Sequence, residues 1–527
     1  MSQIDTIKEI VHYEQLLREN STNHVLKGEY LIRDSQYPDM KEVLGVDATA
    51  NITNKEILGD KVMVEGNLNY IVFYLPKDDA VLEHPTNKIQ SVIFTDKFAN
   101  YLDLNNDENN TWVDVECEIE HIEANWMNER KVGINGVITL KWQVFKNGEF
   151  ECVKDIEGKE DIQTLKKEEE LTGIKGEKDV DLLGKTMLKV TMDKPEIDEI
   201  LKCDMNIHKK EIKLVEDKFY VGCYCKIIVL YKSRENNELV HLEDDIYLSK
   251  EEEMPGTTQD MIPSIDLKVR DYNYNVELDD LGESRVINIE FMIRGKVKVY
   301  TNEKVEMIKD AYSPTSNIEI KREEKNFGDI LSIMNTDIMV KDNIKLNNEE
   351  GRIEEIVCTS AHPYILDKNI EDDRLKIEGL IKICIIYKVL DEELNYGILN
   401  TEVPFSTYVD IKDSNNKLKS VVKSSLENLD TVIEGNSISV RATVGLTIKI
   451  YCNKTIETVA DVVGGEIEEK EKKASITIYV VGENDTLWEL AKEYNTTVAD
   501  LIKLNDLDED VEIKEGMKLI IPGRAIF

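Results

Sequence analysis

At 527 residues the chain is too long for one ordinary core and long enough for roughly three to five domains. Hydrophobic residues at 41% and charged residues at 32%, with only 10 Pro and 26 Gly, describe a folded chain rich in regular structure rather than a disordered one. The formal net charge of −39 repels phosphate backbones and anionic lipid, which argues against nucleic acid and direct membrane binding. It leaves a basic partner, one met through apolar patches, or simply a solvated acidic surface.

In chain order, the opening "MSQIDTIKEIVHYEQ" carries Asp5, Lys8 and Glu9 and lacks the apolar run of about seven residues that a secretory signal needs. The expectation is a protein that stays in the cytosol. No window approaches the ~18 uninterrupted apolar residues of a membrane-spanning helix. Ile4, Ile7, Val11, Leu16 and Leu17 predict an amphipathic helix over residues 1–22, packed on the neighbouring domain or docked to a partner.

Three stretches then align almost without gaps. "HVLKGEYLIRDSQYPDMKEVL" from His24 matches "DLLGKTMLKVTMDKPEIDEIL" from Asp181 and "DIMVKDNIKLNNEEGRIEEIV" from Asp337. They place Glu42, Glu199 and Glu355 at separations of 157 and 156 residues. A second block, ending at Tyr74, Tyr231 and Tyr387, repeats the same separations. Two independent blocks at one offset mean three copies of one domain, each long enough to own a core. Val62, Val64, Leu68, Tyr70, Val72 and Tyr74 alternate as in a half-buried strand that turns apolar on both faces at its end. Each copy closes on another alternating run. The prediction is a mainly β, multidomain chain. Three repeated antiparallel, sandwich-like domains with a few connecting helices are followed by a small α+β module.

The boundaries fall at residues 23–150, 181–302 and 331–463 for the repeats. Charged linkers, the first of them alternatively a solvated helix, are predicted at 151–180, 303–330 and 464–474. The small module covers 475–523.

Eight cysteines occur without a CxxC pair. Cys223 and Cys225 share one face of a strand-like run and read as buried thiols rather than a metal or redox site. "LLGKT" at Leu182–Thr186 ends like a phosphate-binding loop, but Asp179 stands where that motif needs glycine. The seven histidines are scattered, without zinc spacing, and no GxSxG is present. The reading is a noncatalytic protein with no metal and no cofactor, because threefold repetition suits a scaffold better than an active site.

The small module begins with a strand at Ile476, Ile478 and Val480 and turns at Gly482–Asp485. Thr486 and Thr497 stand as caps of two short helices, with Glu489 and Asp500 at the capping-box positions. Leu487, Leu490, Ala491 and Tyr494 line one helix face, and Leu519–Ile521 form a last strand. Trp488 reads as a packing residue in preference to a sugar platform. This β-α-α-β order, with "DTLWELA", "LIKLN" and "GMKLIIP", resembles the LysM domain. The three repeats resemble the SPOCS domain, and the whole arrangement resembles the SipL-like family of clostridial spore-coat morphogenetic proteins.

The LysM resemblance implies a ligand groove walled by Gly482, Asn484, Asp485, Thr486 and Leu487 on one side and by Asp510, Val511 and Ile513 on the other. Backbone amides and carbonyls there suit an acetamido group, over an apolar floor. Asn484 replaces a glycine common in the family and tolerates a left-handed turn. The module's five basic and eleven acidic residues would equally serve a basic protein surface. The family resemblance implies a scaffold of endospore coat assembly in the mother-cell cytoplasm, at the forespore surface. Its partner would be the coat's basement-layer morphogenetic ATPase. The alternative is a protein that binds peptidoglycan, an N-acetylglucosamine-containing glycan, at the spore cortex or wall.

Overall fold

Each repeat consists of six long strands in two three-stranded antiparallel sheets. A computed structural model describes residues 4–33, 37–77, 89–104, 110–157, 161–235, 238–345, 353–371, 373–390, 396–411, 418–464, 476–508 and 512–522. The first repeat runs β1 (Asp5–Leu31), β2 (Met40–Leu58), β3 (Lys61–Pro76), β4 (Gln90–Asp103), β5 (Thr111–Asn128) and β6 (Lys131–Glu157). The second runs β7 (Gln163–Lys189), β8 (Ile197–Val215), β9 (Lys218–Ser233), β10 (Leu239–Glu253), β11 (Ile262–Leu278) and β12 (Ser284–Tyr312). The third runs β13 (Ile318–Lys345), β14 (Ile353–Glu371), β15 (Arg374–Val389), β16 (Tyr396–Asp410), β17 (Lys419–Glu434) and β18 (Ser437–Gly464). In every repeat the sixth strand lies between the first and fifth, and the third lies between the second and fourth. The offsets of 157 and 156 persist in the starts of β2, β8 and β14.

The predicted β repeats are present, while several boundaries and helices differ. Among the described residues the repeats contain no helix. The helix expected over residues 1–22 is instead strand β1. Its apolar residues do not keep one alternating face because both faces are covered: Val11 and Tyr13 enter one cluster between repeats and Leu16 enters another, while Ile7 is exposed, so the apolar spacing mimics a helix. The stretches expected as linkers at 151–180 and 303–330 largely hold the ends of β6 and β12 and the starts of β7 and β13. Their charges decorate edge strands, where charge discourages pairing with other chains. The linker expected at 464–474 lies outside the described residues apart from Gly464, the last residue of β18.

Each repeat owns a core between its two sheets. Val64, Leu68, Tyr70, Val72 and Tyr74 fill that of the first, and Gly66 leaves room there for the Phe98 ring. The two-faced apolar ends of β3, β9 and β15 have a separate cause. Phe73, Leu230 and Ile386, at equivalent positions, point away from their own cores into one cluster shared by all three repeats, with Leu201, Leu239, Cys358 and Tyr396. Further clusters span the repeats. Tyr13 and Phe150 meet Leu171, Met307, Phe327 and Ile456, and Phe145 meets Tyr300 and Tyr451.

The contacts close cyclically. Arg270 of the second repeat donates to the carbonyls of Ile52 and Thr53 of the first, each at 3.0 Å. Asn206 of the second donates to Leu426 O of the third at 2.8 Å. Lys382 of the third returns to Ile119 O of the first at 2.8 Å, and Lys141 of the first donates to Ile365 O at 2.5 Å. The repeats therefore form a ring in which each touches both others.

Unlike charges meet inside this ring. Lys202, buried, pairs with Asp47 at 2.5 Å and donates to Ser360 Oγ at 2.7 Å. Asp47, Asp204 and Ser360 occupy equivalent positions of the three repeats. Burial opposes the Lys202 charge, and the Asp47 and Asp204 carboxylates outweigh it, holding the ammonium well above its ordinary value. Glu14 of the first repeat has a side chain only 1% exposed. It takes the Lys298 ammonium, and Tyr300 and Tyr451 donate to it at 3.2 and 2.8 Å. Burial would raise the Glu14 carboxyl, but Lys298 and Lys449 hold it below its usual range. Lys423 of the third repeat bridges Asp114 and Asp266, each at 2.6 Å.

Removing the Glu14 charge strands Lys298 in a dry site. Glu14→Gln is expected to destabilise the ring by about 3–5 kcal/mol, the range for breaking a buried pair, read as a lower urea midpoint. A pH effect of defined sign accompanies it. Burial pushes the Asp114 carboxyl up, but Lys423 and its neighbouring ammoniums bring it down to about 2. A depressed carboxyl stabilises the fold above its unfolded value of about 4 and loses that contribution as pH falls through the folded value. The urea midpoint is expected to fall between pH about 4 and about 2, and less steeply in Lys423→Met.

Candidate functional site

The C-terminal module consists of β19 (Ile476–Val480), α1 (Leu487–Glu493), α2 (Val498–Leu504) and β20 (Lys518–Pro522). Both short helices depend on their caps. Thr486 Oγ1 accepts from Glu489 N at 3.1 Å, and Thr497 Oγ1 accepts from Asp500 N at 2.9 Å. Each cap is worth about 1 kcal/mol. Leu490, Ala491, Leu501, Leu519 and Ile521 form the core, with Leu487 and Tyr494 half-buried beside them.

The first expected groove wall is one turn. Asp485 accepts from Gly482 N at 2.7 Å and from the Tyr479 hydroxyl at 2.9 Å. Asn484 stands exposed at its tip with φ 71°, the left-handed conformation its side chain tolerates. Thr486 and Leu487 lead into α1. Val481 N donates to Met517 O, and Gly516 N donates to Val481 O, both at 2.8 Å, which ties this turn to the approach to β20. Of the second wall, Ile513 packs on the module's core, while Asp510 and Val511 lie outside the described residues.

Three features escape sequence reading. Asn505, the last letter of "LIKLN", donates to Leu501 O and Ile520 O, both at 2.8 Å, and accepts from Ile520 N at 2.6 Å. It pins α2 to the outer edge of β20. Secondly, β19 turns its aliphatic side outward. Ile476, Ile478 and Val480 are exposed, Ile478 to 70%, while Thr477 and Tyr479 face inward. Ile478 is paired with Ile520, whose backbone groups point away from β19 to Asn505. By antiparallel geometry the N–H and C=O of Ile478 also point away from β20, toward the edge of β19 that pairs with no other strand among the described residues.

Thirdly, Trp488 packs, as expected, but against the second repeat. Its Nε1 donates to Asp310 Oδ2 at 2.8 Å, and its ring meets Tyr312 edge-on at 4.9 Å.

The remaining motifs of the sequence occupy structural positions. Leu182–Thr186 lies in the middle of β7, paired with β12, so its amides bond a strand rather than cradle phosphate. Cys223 and Cys225 are fully buried, and burial pushes their thiols up to about 11 and about 12, away from reactive thiolate. Among the described residues no cluster of His, Cys, Asp or Glu could hold a metal. None of the helices described is long and apolar enough to cross a membrane.

Both the repeats and the small module have counterparts among known families. The family described as SipL, SPOCS domain, matches residues 39–127, 196–277 and 352–434, and the LysM domain family matches residues 479–522. Each SPOCS match runs from the second to the fifth strand of its repeat, leaving the first and sixth outside. No curated protein and no solved structure matched the chain. Both matched families are noncatalytic binding domains. The chain is a sporulation-related protein of the SipL-like kind, built from three SPOCS domains and one C-terminal LysM domain of the peptidoglycan-binding class.

Proposed function

We propose that this protein is a noncatalytic scaffold of endospore coat assembly, held at the forespore surface on its mother-cell side. In this reading the SPOCS ring is a rigid body, and the LysM domain docks a coat basement-layer protein, the morphogenetic ATPase that the family resemblance implies. The observation that carries the reading is the outward aliphatic ladder of β19. Ile476, Ile478 and Val480, beside a strand edge that is unpaired among the described residues, suit an extended protein segment, which adds a strand and seats alternate side chains. A neutral glycan has no use for such an edge. The net charge of −39 favours a partner with a basic surface. Interior carboxylates such as Glu14 and Asp114 are consumed in ion pairs that hold the ring, which supports a noncatalytic role.

A second reading keeps the groove for peptidoglycan. The turn at Gly482–Asp485 supports it, because Asn484 adopts the required left-handed conformation. The two readings separate with the full chain and two matrices, purified peptidoglycan and immobilised basement-layer ATPase. Ile478→Lys is expected to lower retention on the ATPase about tenfold or more, the effect of losing an interface anchor. Because Ile478 is exposed, its replacement should leave stability within about 0.5 kcal/mol. Retention on peptidoglycan alone, unchanged by Ile478→Lys, would replace the scaffold reading with the glycan one.

A further inference from the structure

The LysM domain has one open side and one closed side. Asn484, Thr486 and the β19 ladder face solvent, whereas α1 lies against the end of β12. Tyr312, the last residue of β12, is 5% exposed and belongs to the LysM core with Leu490, Ala491 and Leu501. Its hydroxyl donates to Thr496 O at 2.8 Å. Two residues earlier, on the same side of an extended strand, Asp310 takes both Trp488 Nε1 at 2.8 Å and Lys492 Nζ at 2.7 Å. Its Oδ1 accepts from the Arg322 guanidinium of β13 at 2.8 Å. Trp488 and Lys492 are four residues apart, so they share one face of α1. That face therefore reads a strand with a carboxylate and an aromatic ring at positions i and i+2.

The contact combines a buried anchor, Tyr312, with a partly exposed polar rim. Lys492 and Arg322 remain 43% and 38% exposed, so their ion pairs are individually weak. Burial of Tyr312 holds the contact together with covalent connection within one chain, which gives it a high effective concentration. The Asp310 carboxyl stays below its ordinary range: burial opposes its charge, and hydrogen bonds from Lys492 and Trp488 overcome that opposition.

We propose that the end of β12 is an internal docking strand for the α1 face, and that Asp310 and Tyr312 latch the LysM domain to the second SPOCS repeat. A protein partner that presents a carboxylate and an aromatic ring at the same spacing on an extended segment gains the Trp488–Lys492 face by displacing them. The latch is independent of what the groove or β19 binds.

Hydrogen exchange of the full chain tests it. Asp310→Ala and Lys492→Ala are each expected to speed exchange of the α1 amides about tenfold while those of β9 stay protected. Asp310→Asn, which keeps an acceptor for the indole, should fall between. A synthetic peptide with the sequence of residues 306–313, added to the Asp310→Ala chain, should restore α1 protection, and the same peptide with its aspartate replaced by alanine should not. Should Asp310→Ala also loosen β13 by freeing Arg322, Lys492→Ala still reports the latch alone. Unchanged α1 exchange in both alanine variants, or equal protection by the two peptides, would overturn the proposal.

Discussion

The carboxylate of Glu14 is removed from water inside the first repeat's longest sheet, and its cationic and hydroxyl partners all come from the other two repeats. Lys298 and Tyr300 belong to the second, Lys449 and Tyr451 to the third. An ion at that depth is costly unless each of its oxygens is bonded. The first repeat therefore reaches its observed state only with both neighbours in place. The apolar clusters around Phe73, Leu230 and Ile386, and around Phe145, Tyr300 and Tyr451, impose the same condition from the hydrophobic side.

Divergence among the copies explains why the ring closes within one chain. Glu116, Asp266 and Lys423 are equivalent, each pairing with the residue four before the aromatic at Phe145, Tyr300 or Tyr451. Three copies of the first repeat would bring together carboxylates, and three of the third would bring together ammoniums, at a partly buried site. Unlike charges at these positions, with Lys423 2.6 Å from Asp266 and 3.7 Å from Glu116, offset part of their own desolvation. The same logic places a single lysine, Lys202, among Asp47, Asp204 and Ser360. Charge asymmetry makes the three repeats non-interchangeable at these positions, and like-charge repulsion opposes association through one repeat alone.

Much of this architecture is legible in the sequence, and the remainder is hidden for physical reasons. Strands β3, β9 and β15 announce themselves by alternation, and even the shared interior leaves a trace in their two-faced ends at Phe73, Leu230 and Ile386. Strand β1 does not, because both of its faces are covered, Val11 and Tyr13 in one cluster and Leu16 in another, and its apolar residues therefore follow no period of two. Edge strands β7 and β13 resemble linkers because charge suits an edge and a linker alike. The interior ion pairs and the latch have no local signature: Asp310 and Trp488 are 178 positions apart. The LysM turn and helix caps are fully local, and Thr486, Thr497 and Asn484 behave as their chemistry dictates.

The ring changes what threefold repetition means for a scaffold. Three domains on flexible tethers would bind as independent modules, with avidity set by linker length. Here the repeats share their interiors, so they cannot separate without exposing Phe73, Leu230 and Ile386 and stranding Glu14. They present one rigid surface on which the LysM domain is seated through Tyr312. A partner meeting that surface pays no entropy to order the repeats relative to one another, which is the advantage of preorganisation over flexible multivalency. In the latch proposed above, the adaptable element is the contact between α1 and β12, where the partly exposed Lys492 and Arg322 surround the buried Tyr312. For the scaffold role proposed above, a releasable interaction placed there would lie outside the ring on which every repeat depends.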